Sequence, residues 1–110
     1  MFIALYHWKV KDGRVDTFRE GWRRRTEEIY QHGGSLGSRL HQAEDGTWVA
    51  YAQWPDRQTF DAAQSLPATD AGARLMFRES IEEAYPDIYM TVADDLLQTA
   101  VFSNLPKGSG

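Results

Sequence analysis

A histidine interrupts the apolar segment that opens the chain, FIALYHWKV. Alternate side chains of a strand share a face, so His7 would lie in one row with Ile3, Leu5 and Lys9. A histidine in such a row can act as a general base near neutral pH, or it can orient a phenol. The alternative is a histidine that is held by hydrogen bonds and has no catalytic part, and the sequence leaves both open.

Two further strand-like segments carry side chains with similar potential. His41 lies in the second, and Tyr51 and Trp54 lie in the third. Tyrosine offers a hydroxyl, and tryptophan offers a flat apolar surface with one N–H donor. For Trp54 the alternative is an anchor in the core or in an interface. Arg39 could meet an anionic substrate, although an exposed arginine is usually solvated.

Four strands and a divided helical pattern must position these residues. The predicted strands are residues 2–10, 35–43, 47–54 and 87–97. The predicted helices run from Arg14 to about Gln31, from Pro55-Asp56 to Pro67, and from Thr69 or Asp70 to Pro86. Gly21 lies inside the first helix, where glycine is unfavourable, and close packing against the sheet is the simplest reason for it.

The order β-α-β-β-α-β predicts an α+β fold. Right-handed crossovers convert this order into a ferredoxin-like antiparallel sheet, with spatial order 4-1-3-2 and the helices on one face. A chain of 110 residues is short enough for one hydrophobic core. We therefore expect one domain over residues 1–98 and a flexible tail over residues 99–110.

Both faces of the predicted sheet are apolar, although helices can cover only one. Strand one places Phe2, Tyr6 and Trp8 on one face, with Ile3 and Leu5 on the other. An uncovered apolar face usually marks an interface, and two such sheets can pack about a two-fold axis. We therefore predict a homodimer through the open sheet face. The alternative is a monomer whose C-terminal tail crosses that face.

Metal and nucleotide sites lack support. His7 and His41 would stand about 9–10 Å apart, because their strands flank a third one, and one zinc ion would not join them readily. Asp94 and Asp95 are neighbours on a predicted strand and point to opposite faces. The glycine-rich segment 33–37 follows a helix and enters a strand, which reverses the order that a phosphate loop needs. We expect no metal and no bound cofactor.

Composition excludes several broad classes. The net charge of −4 argues against general affinity for nucleic acid or anionic membranes. The basic run 23–25 is flanked by Glu20, Glu27 and Glu28, which predicts a solvated helix face with ion pairs. Without cysteine there is no disulfide, thiolate metal site or cysteine nucleophile. We see neither a signal peptide nor an apolar stretch near ~20 residues, and therefore expect a cytoplasmic protein.

Two segments resemble the antibiotic-biosynthesis-monooxygenase superfamily: FIALYHWKVKDGRVDTFREGWRR, and GSLGSRLHQAEDGTWVAYAQWPDRQTFDAA, whose strand ends in a tryptophan before a short helix with an aromatic residue. The resemblance covers about residues 1–98 and implies a dimeric α+β barrel. Members include cofactor-free quinone-forming monooxygenases, haem-degrading enzymes and proteins of unassigned role, so fold alone does not fix the activity.

The resemblance implies a ligand cavity between sheet and helices, and we assign the row of His7 to that side. It also implies a cofactor-independent oxygenation of a small aromatic substrate, a phenol or anthrone, to a quinone. The protein would bind the substrate flat, remove a proton and stabilise the anion. His7 and Tyr51 are the predicted catalytic residues, and Trp54, His41 and Arg39 are the predicted substrate contacts. A non-catalytic small-molecule-binding or stress-associated dimer is the alternative.

Haem degradation is disfavoured by three departures from the haem-degrading branch. That branch uses an asparagine on strand one, where this chain has His7. Its tryptophan position falls near Ala63, and the segment ARLMFRESIEEA offers no histidine.

Overall fold

The computed structural model describes residues 1–98. The strands are β1 (Phe2–Val10), β2 (Ser38–Gln42), β3 (Trp48–Trp54), β4 (Ile81–Ala84) and β5 (Ile88–Thr91), and the helices are α1 (Val15–His32), α2 (Arg57–Ala63) and α3 (Ala71–Ser80). The predicted tail, residues 99–110, lies outside the described residues. Within residues 1–98 no helix combines the length and the apolarity that a membrane crossing requires.

The sheet has the order that the sequence predicts. The antiparallel path is β2-β3-β1-β4, which confirms the order 4-1-3-2. β1 and β3 pair along their length, from Phe2 opposite Trp54 to Trp8 opposite Trp48. Partners in an antiparallel pair share a face, so this register gathers the aromatic residues of both strands on one side.

The edge strand is divided. β4 pairs with the second half of β1, from Trp8 to Val10, whereas β5 pairs with the first half, from Phe2 to Leu5. The segment between β4 and β5 contains Pro86, which lacks the N–H that a continuous ladder requires. The edge of the sheet is therefore interrupted opposite the middle of β1.

The end of the last helix differs from the prediction. Helical spacing suggested a helix that continues to Pro86, but α3 ends at Ser80 and Ile81 is already extended. The carbonyl of Ser80 accepts a hydrogen bond from the amide of Lys11 at 2.9 Å, and β4 then pairs with β1. Pairing across the sheet overrides the local helical pattern here. The predicted strand 87–97 shortens to β5 and ends at Thr91.

The core lies on the face of the sheet that the helices cover. One buried cluster contains Phe2, Ala4, Ala52, Trp54 and Phe60, and a second contains Trp8, Phe18, Trp48 and Ala50. α1 contributes Phe18, and α2 contributes Phe60. These aromatic side chains fix the distance between the helices and the sheet.

Gly21 is explained by helix packing rather than by the sheet. A Cβ at this position would lie 2.7 Å from the backbone nitrogen of Phe77 and 3.0 Å from the carbonyl oxygen of Ala73, both in α3. Real Cβ atoms do not approach backbone atoms so closely. The expected contact with the sheet was therefore wrong, and Gly21 instead allows α1 and α3 to pack backbone to backbone.

Candidate active-site cavity

A cavity of about 670 Å³ opens between the sheet and the helices. β1 and β3 form its floor, α1 forms one wall, and the connection 64–69 between α2 and α3 forms another. The residues that line it are Tyr6, Trp8, Trp22, Arg25, Thr26, Glu28, Ile29, His32, Gly33, Ser35, Ser38, Ala50, Ala52, Trp54, Ala63, Gln64, Leu66, Pro67, Ala68, Thr69, Phe77, Ala84 and Asp87.

Aromatic rings dominate the lining. Tyr6 and Trp8 stack with their ring centroids 5.8 Å apart and an interplanar angle of 11°. Trp22 of α1 and Trp54 of β3 add two more indoles. Small residues of β3, Ala50 and Ala52, lie on the same floor and leave space above the sheet. The cavity therefore offers flat apolar surfaces to a planar ligand.

Trp54 is one of the predicted substrate contacts, and the structure places it at this cavity. Its side chain is 3% exposed, and its ring meets that of Phe60 edge to face, with centroids 5.3 Å apart. The indole nitrogen is buried and has no hydrogen-bond partner among residues 1–98. A buried N–H without a partner is unfavourable by about 1–3 kcal/mol. Trp54 thus anchors the core and also keeps an unused donor.

Tyr6 supplies a phenol that stays protonated. Burial raises the pKa of Tyr6 to about 12, and the nearby Tyr89 and Asp87 raise it in the same direction. At neutral pH its hydroxyl is therefore a hydrogen-bond donor and not a base. Tyr6 was not among the site residues predicted from the sequence, although it is one of the aromatic residues in the row that faces the helices.

The break in the edge strand brings a carboxylate to the same cavity. Asp87 follows Pro86 in the segment between β4 and β5, and it lines the cavity together with Ala84. The hydroxyl of Tyr89 donates a hydrogen bond to Asp87 Oδ2 at 3.3 Å. Asp87 belongs to the segment between β4 and β5 and not to a strand. Its position at the cavity therefore depends on the division of the edge strand.

The three arginines of α1 have three different environments. Arg23 forms ion pairs with Glu20 and Glu27 on the exposed helix face, as the sequence predicts. Arg24 binds both carboxylate oxygens of Asp70, through Nε at 3.0 Å and through an Nη at 2.8 Å. Arg25 instead lines the cavity.

Glu28 joins α1 to the connection that walls the cavity. Its carboxylate accepts hydrogen bonds of 3.0 Å from the backbone N–H of Thr69, from the hydroxyl of Thr69 and from the N–H of Asp70. The bond from the Thr69 N–H is the main reason why the pKa of Glu28 lies below its ordinary value. These three hydrogen bonds, which we call the Glu28 clamp, stabilise the wall 64–69 against α1.

Four of the five predicted site residues lie on the opposite face of the sheet. The register places His7 opposite Val49, which is also opposite His41, and places Tyr51 opposite Arg39. The row assigned to the cavity was therefore wrong, because the helices cover the row that carries the larger aromatic side chains. The structure separates Trp54 from His7, Tyr51, His41 and Arg39. Catalytic and binding roles of these four residues stay predictions for the open face.

His7 is held in a chain of hydrogen bonds. Its Nε2 lies 2.8 Å from Oγ1 of Thr47. The Thr47 hydroxyl donates a hydrogen bond of 2.6 Å to Oδ1 of Asp45. The Thr47 oxygen must then accept a hydrogen bond from His7, so Nε2 of His7 carries a proton and Nδ1 takes no part in this row of hydrogen bonds. The ring centroids of Tyr85 and His7 lie 4.4 Å apart. His7 is thus held by hydrogen bonds on the open face of the sheet, and its catalytic role stays a prediction.

Within residues 1–98, histidine and carboxylate side chains form no group of three that could hold a metal ion.

A sequence model described as antibiotic biosynthesis monooxygenase matches residues 1–75, more than half of the chain. The chain belongs to this family. Membership supports a monooxygenase-type activity at the level of the family. No curated relative matches the chain by sequence.

Several solved structures share the fold of this chain. SnoaB, a cofactor-independent oxygenase from Streptomyces nogalater, has a TM-score of 0.72 at 16% identity, covering 88% of this chain and 97% of its own. Rv0793 from Mycobacterium tuberculosis has a TM-score of 0.69 at 12% identity, covering 87% and 98%. An antibiotic biosynthesis monooxygenase has a TM-score of 0.68 at 18% identity, covering 86% and 100%. At these identities the likeness establishes the fold alone.

Proposed function

We propose that this protein is a cofactor-independent monooxygenase that converts a small planar phenol or anthrone to a quinone in the cavity between sheet and helices. The observation that carries the proposal is a cavity walled by aromatic rings that contains a phenol, Tyr6, which stays protonated at neutral pH, in a chain of the monooxygenase family. Its volume of about 670 Å³ falls within the range of about 300–1,000 Å³ of small-molecule sites.

The reaction needs only the substrate and dioxygen. Removing one proton from the anthrone methylene carbon gives an electron-rich anion, which transfers one electron to dioxygen. The resulting radical and superoxide combine to form a carbon–oxygen bond, and protonation gives a hydroperoxide. Loss of the second methylene proton with cleavage of the O–O bond releases water and leaves the carbonyl. One oxygen atom enters the product, the other leaves as water, and the substrate supplies all four electrons.

The lining residues suit the demands of these steps. Trp8, Trp22 and Trp54 hold the rings flat, and Tyr6 donates a hydrogen bond to the oxygen on which negative charge develops. Such a donor must keep its proton, and the raised pKa of Tyr6 ensures this. We propose Asp87 as the proton acceptor, because it lies at the Tyr6 end of the cavity and a carboxylate can serve as a general base.

The proposed active unit is a homodimer formed through the open sheet face. Ile88 is 51% exposed and Met90 is 37% exposed, and the register places them beside Leu5 and Ile3 on that face. Exposed apolar side chains beside a half-buried tyrosine, Tyr51, support burial against a second copy. A cytoplasmic location stays a prediction of the sequence.

Oxygen consumption tests the proposal. Purified protein with an anthrone should consume dioxygen with saturation kinetics and should form the anthraquinone in a 1:1 ratio to the dioxygen consumed. Asp87→Asn should lower kcat by at least about tenfold, as expected for a general base. Asp95→Asn, a carboxylate outside the cavity lining, is the matched control and should keep the wild-type rate. Binding of the anthrone without any oxygen consumption would instead identify a non-catalytic binding protein.

A further inference from the structure

Arg25 differs from the other arginines in its part of α1. Within residues 1–98 it is the only arginine or lysine that lines the cavity. Its neighbours Arg23 and Arg24 are each held in ion pairs, whereas Arg25 has no carboxylate oxygen within 4 Å in the described part of the chain. Arg25 is also half-buried, so its charge is partly removed from water.

One candidate partner of Arg25, Glu28, already binds other groups. Glu28 lies one helical turn further along α1, and the charge of Arg25 contributes to the lowered pKa of Glu28. The carboxylate oxygens of Glu28 nevertheless bind Thr69 and the N–H of Asp70. The other acidic residue of the lining, Asp87, accepts a hydrogen bond from the hydroxyl of Tyr89. Among residues 1–98, no carboxylate therefore pairs with the Arg25 guanidinium group, which presents five N–H donors at the cavity.

We propose that Arg25 binds a carboxylate group of the substrate, so that the substrate is a planar aromatic acid rather than a neutral phenol or anthrone. A guanidinium group binds a carboxylate through two parallel hydrogen bonds, which fixes orientation as well as adding affinity. In the proposed complex, the carboxylate of the substrate lies at the α1 wall, and its reacting carbon lies toward Tyr6. The proposal rests on the proposed function for the identity of the ring system, because the aromatic walls alone do not define it.

Matched ligands isolate the charge of the substrate. Anthraquinone-2-carboxylate and anthraquinone-2-carboxamide have the same ring system and nearly the same shape, and neither can react. Binding is followed by quenching of tryptophan fluorescence, since three of the four tryptophans line the cavity. Wild-type protein should bind the carboxylate about 10- to 100-fold more tightly than the carboxamide, as expected for a hydrogen bond between charged groups. This preference should fall as salt is added.

Two variants and one control assign the preference to Arg25. Arg25→Gln should bind both ligands with equal affinity, while Arg25→Lys should retain part of the preference as a point charge. Arg19→Gln removes the same charge from an exposed position on α1 outside the cavity lining, and it should behave like the wild type. Thermal unfolding of each variant verifies its fold. If Arg25→Gln does not fold, Arg25→Lys still tests the assignment, and equal binding of the two ligands by the wild type would still overturn it.

The outcomes separate this proposal from the proposed function. Equal binding of the two ligands by the wild type, or a preference that survives Arg25→Gln, overturns the role of Arg25. Oxygen consumption, measured with both anthrone and anthrone-2-carboxylate, tests the monooxygenase activity independently. A carboxylate preference without oxygen consumption would therefore keep the role of Arg25 and reject the reaction, and oxygen consumption without the preference would do the reverse.

Discussion

The carboxylate of Glu28 accepts both the backbone N–H and the hydroxyl of Thr69, at 3.0 Å each. The two residues lie 41 positions apart in sequence, and their contact joins α1 to the wall of the cavity just before α3 begins. The clamp therefore couples the stability of the fold to the shape of the proposed site.

We expect Glu28→Gln to lower both the melting temperature and the affinity for planar ligands. The pKa of Glu28 is lowered in the folded state, so its stabilising contribution is present above the unfolded pKa and is lost as the pH falls through the folded pKa. The difference in unfolding free energy between wild type and Glu28→Gln should be constant from pH 6 to 8 and should shrink below about pH 4.5. Urea titrations at several pH values measure it, and a difference independent of pH would contradict the clamp.

Gly21→Ala should destabilise the protein by about 1–3 kcal/mol, because the new Cβ would meet the backbone of Phe77 at 2.7 Å and force α1 and α3 apart. Gly72→Ala is the matched control in α3. A Cβ there would make only ordinary contacts, at 3.6 Å or more, and alanine suits a helix better than glycine. Gly72→Ala should therefore be neutral or slightly stabilising. Equal melting temperatures for the two variants would refute the close helix contact.

Tyr6→Phe and His7→Ala distinguish the two faces of the sheet. If the reaction occurs in the cavity, Tyr6→Phe should lower kcat by about 10²-fold, since it removes a donor to the developing anion. The loss should be the same from pH 6 to 9, because the pKa of Tyr6 lies at about 12. His7→Ala should retain the wild-type rate. The opposite pattern, with His7→Ala inactive and Tyr6→Phe active, would move the reaction to the open face.

Ile88→Glu should convert the proposed dimer to a monomer without unfolding it. Ile88 is 51% exposed on the open face, so a charge there costs little in the monomer but would be buried without a partner in the dimer. Native mass spectrometry should show a dimer for the wild type and a monomer for Ile88→Glu. Leu75→Glu, which alters a similarly exposed apolar residue on α3, should remain dimeric. A wild-type monomer would refute the open face as the interface.

The sequence by itself determined the fold class, the sheet order and the pairing of residues into rows. Alternation in β1 and β3 assigns Phe2, Tyr6 and Trp8 to one face, because side chains on a strand must alternate. The sequence also indicated Trp54 as a substrate contact, and Trp54 lies at the cavity. These features depend on local periodicity and on topological rules, so they can be derived without the positions of distant residues.

Only the tertiary structure decided which row faces the helices. Both rows of β1 are apolar, so periodicity could not place His7 on one side rather than the other. The packing of α1, α2 and α3 decided this, because the helices cover the row with the larger aromatic side chains. The division of the edge strand, which brings Asp87 to the cavity, and the separate environments of Arg24 and Arg25 likewise depend on contacts between residues far apart in sequence.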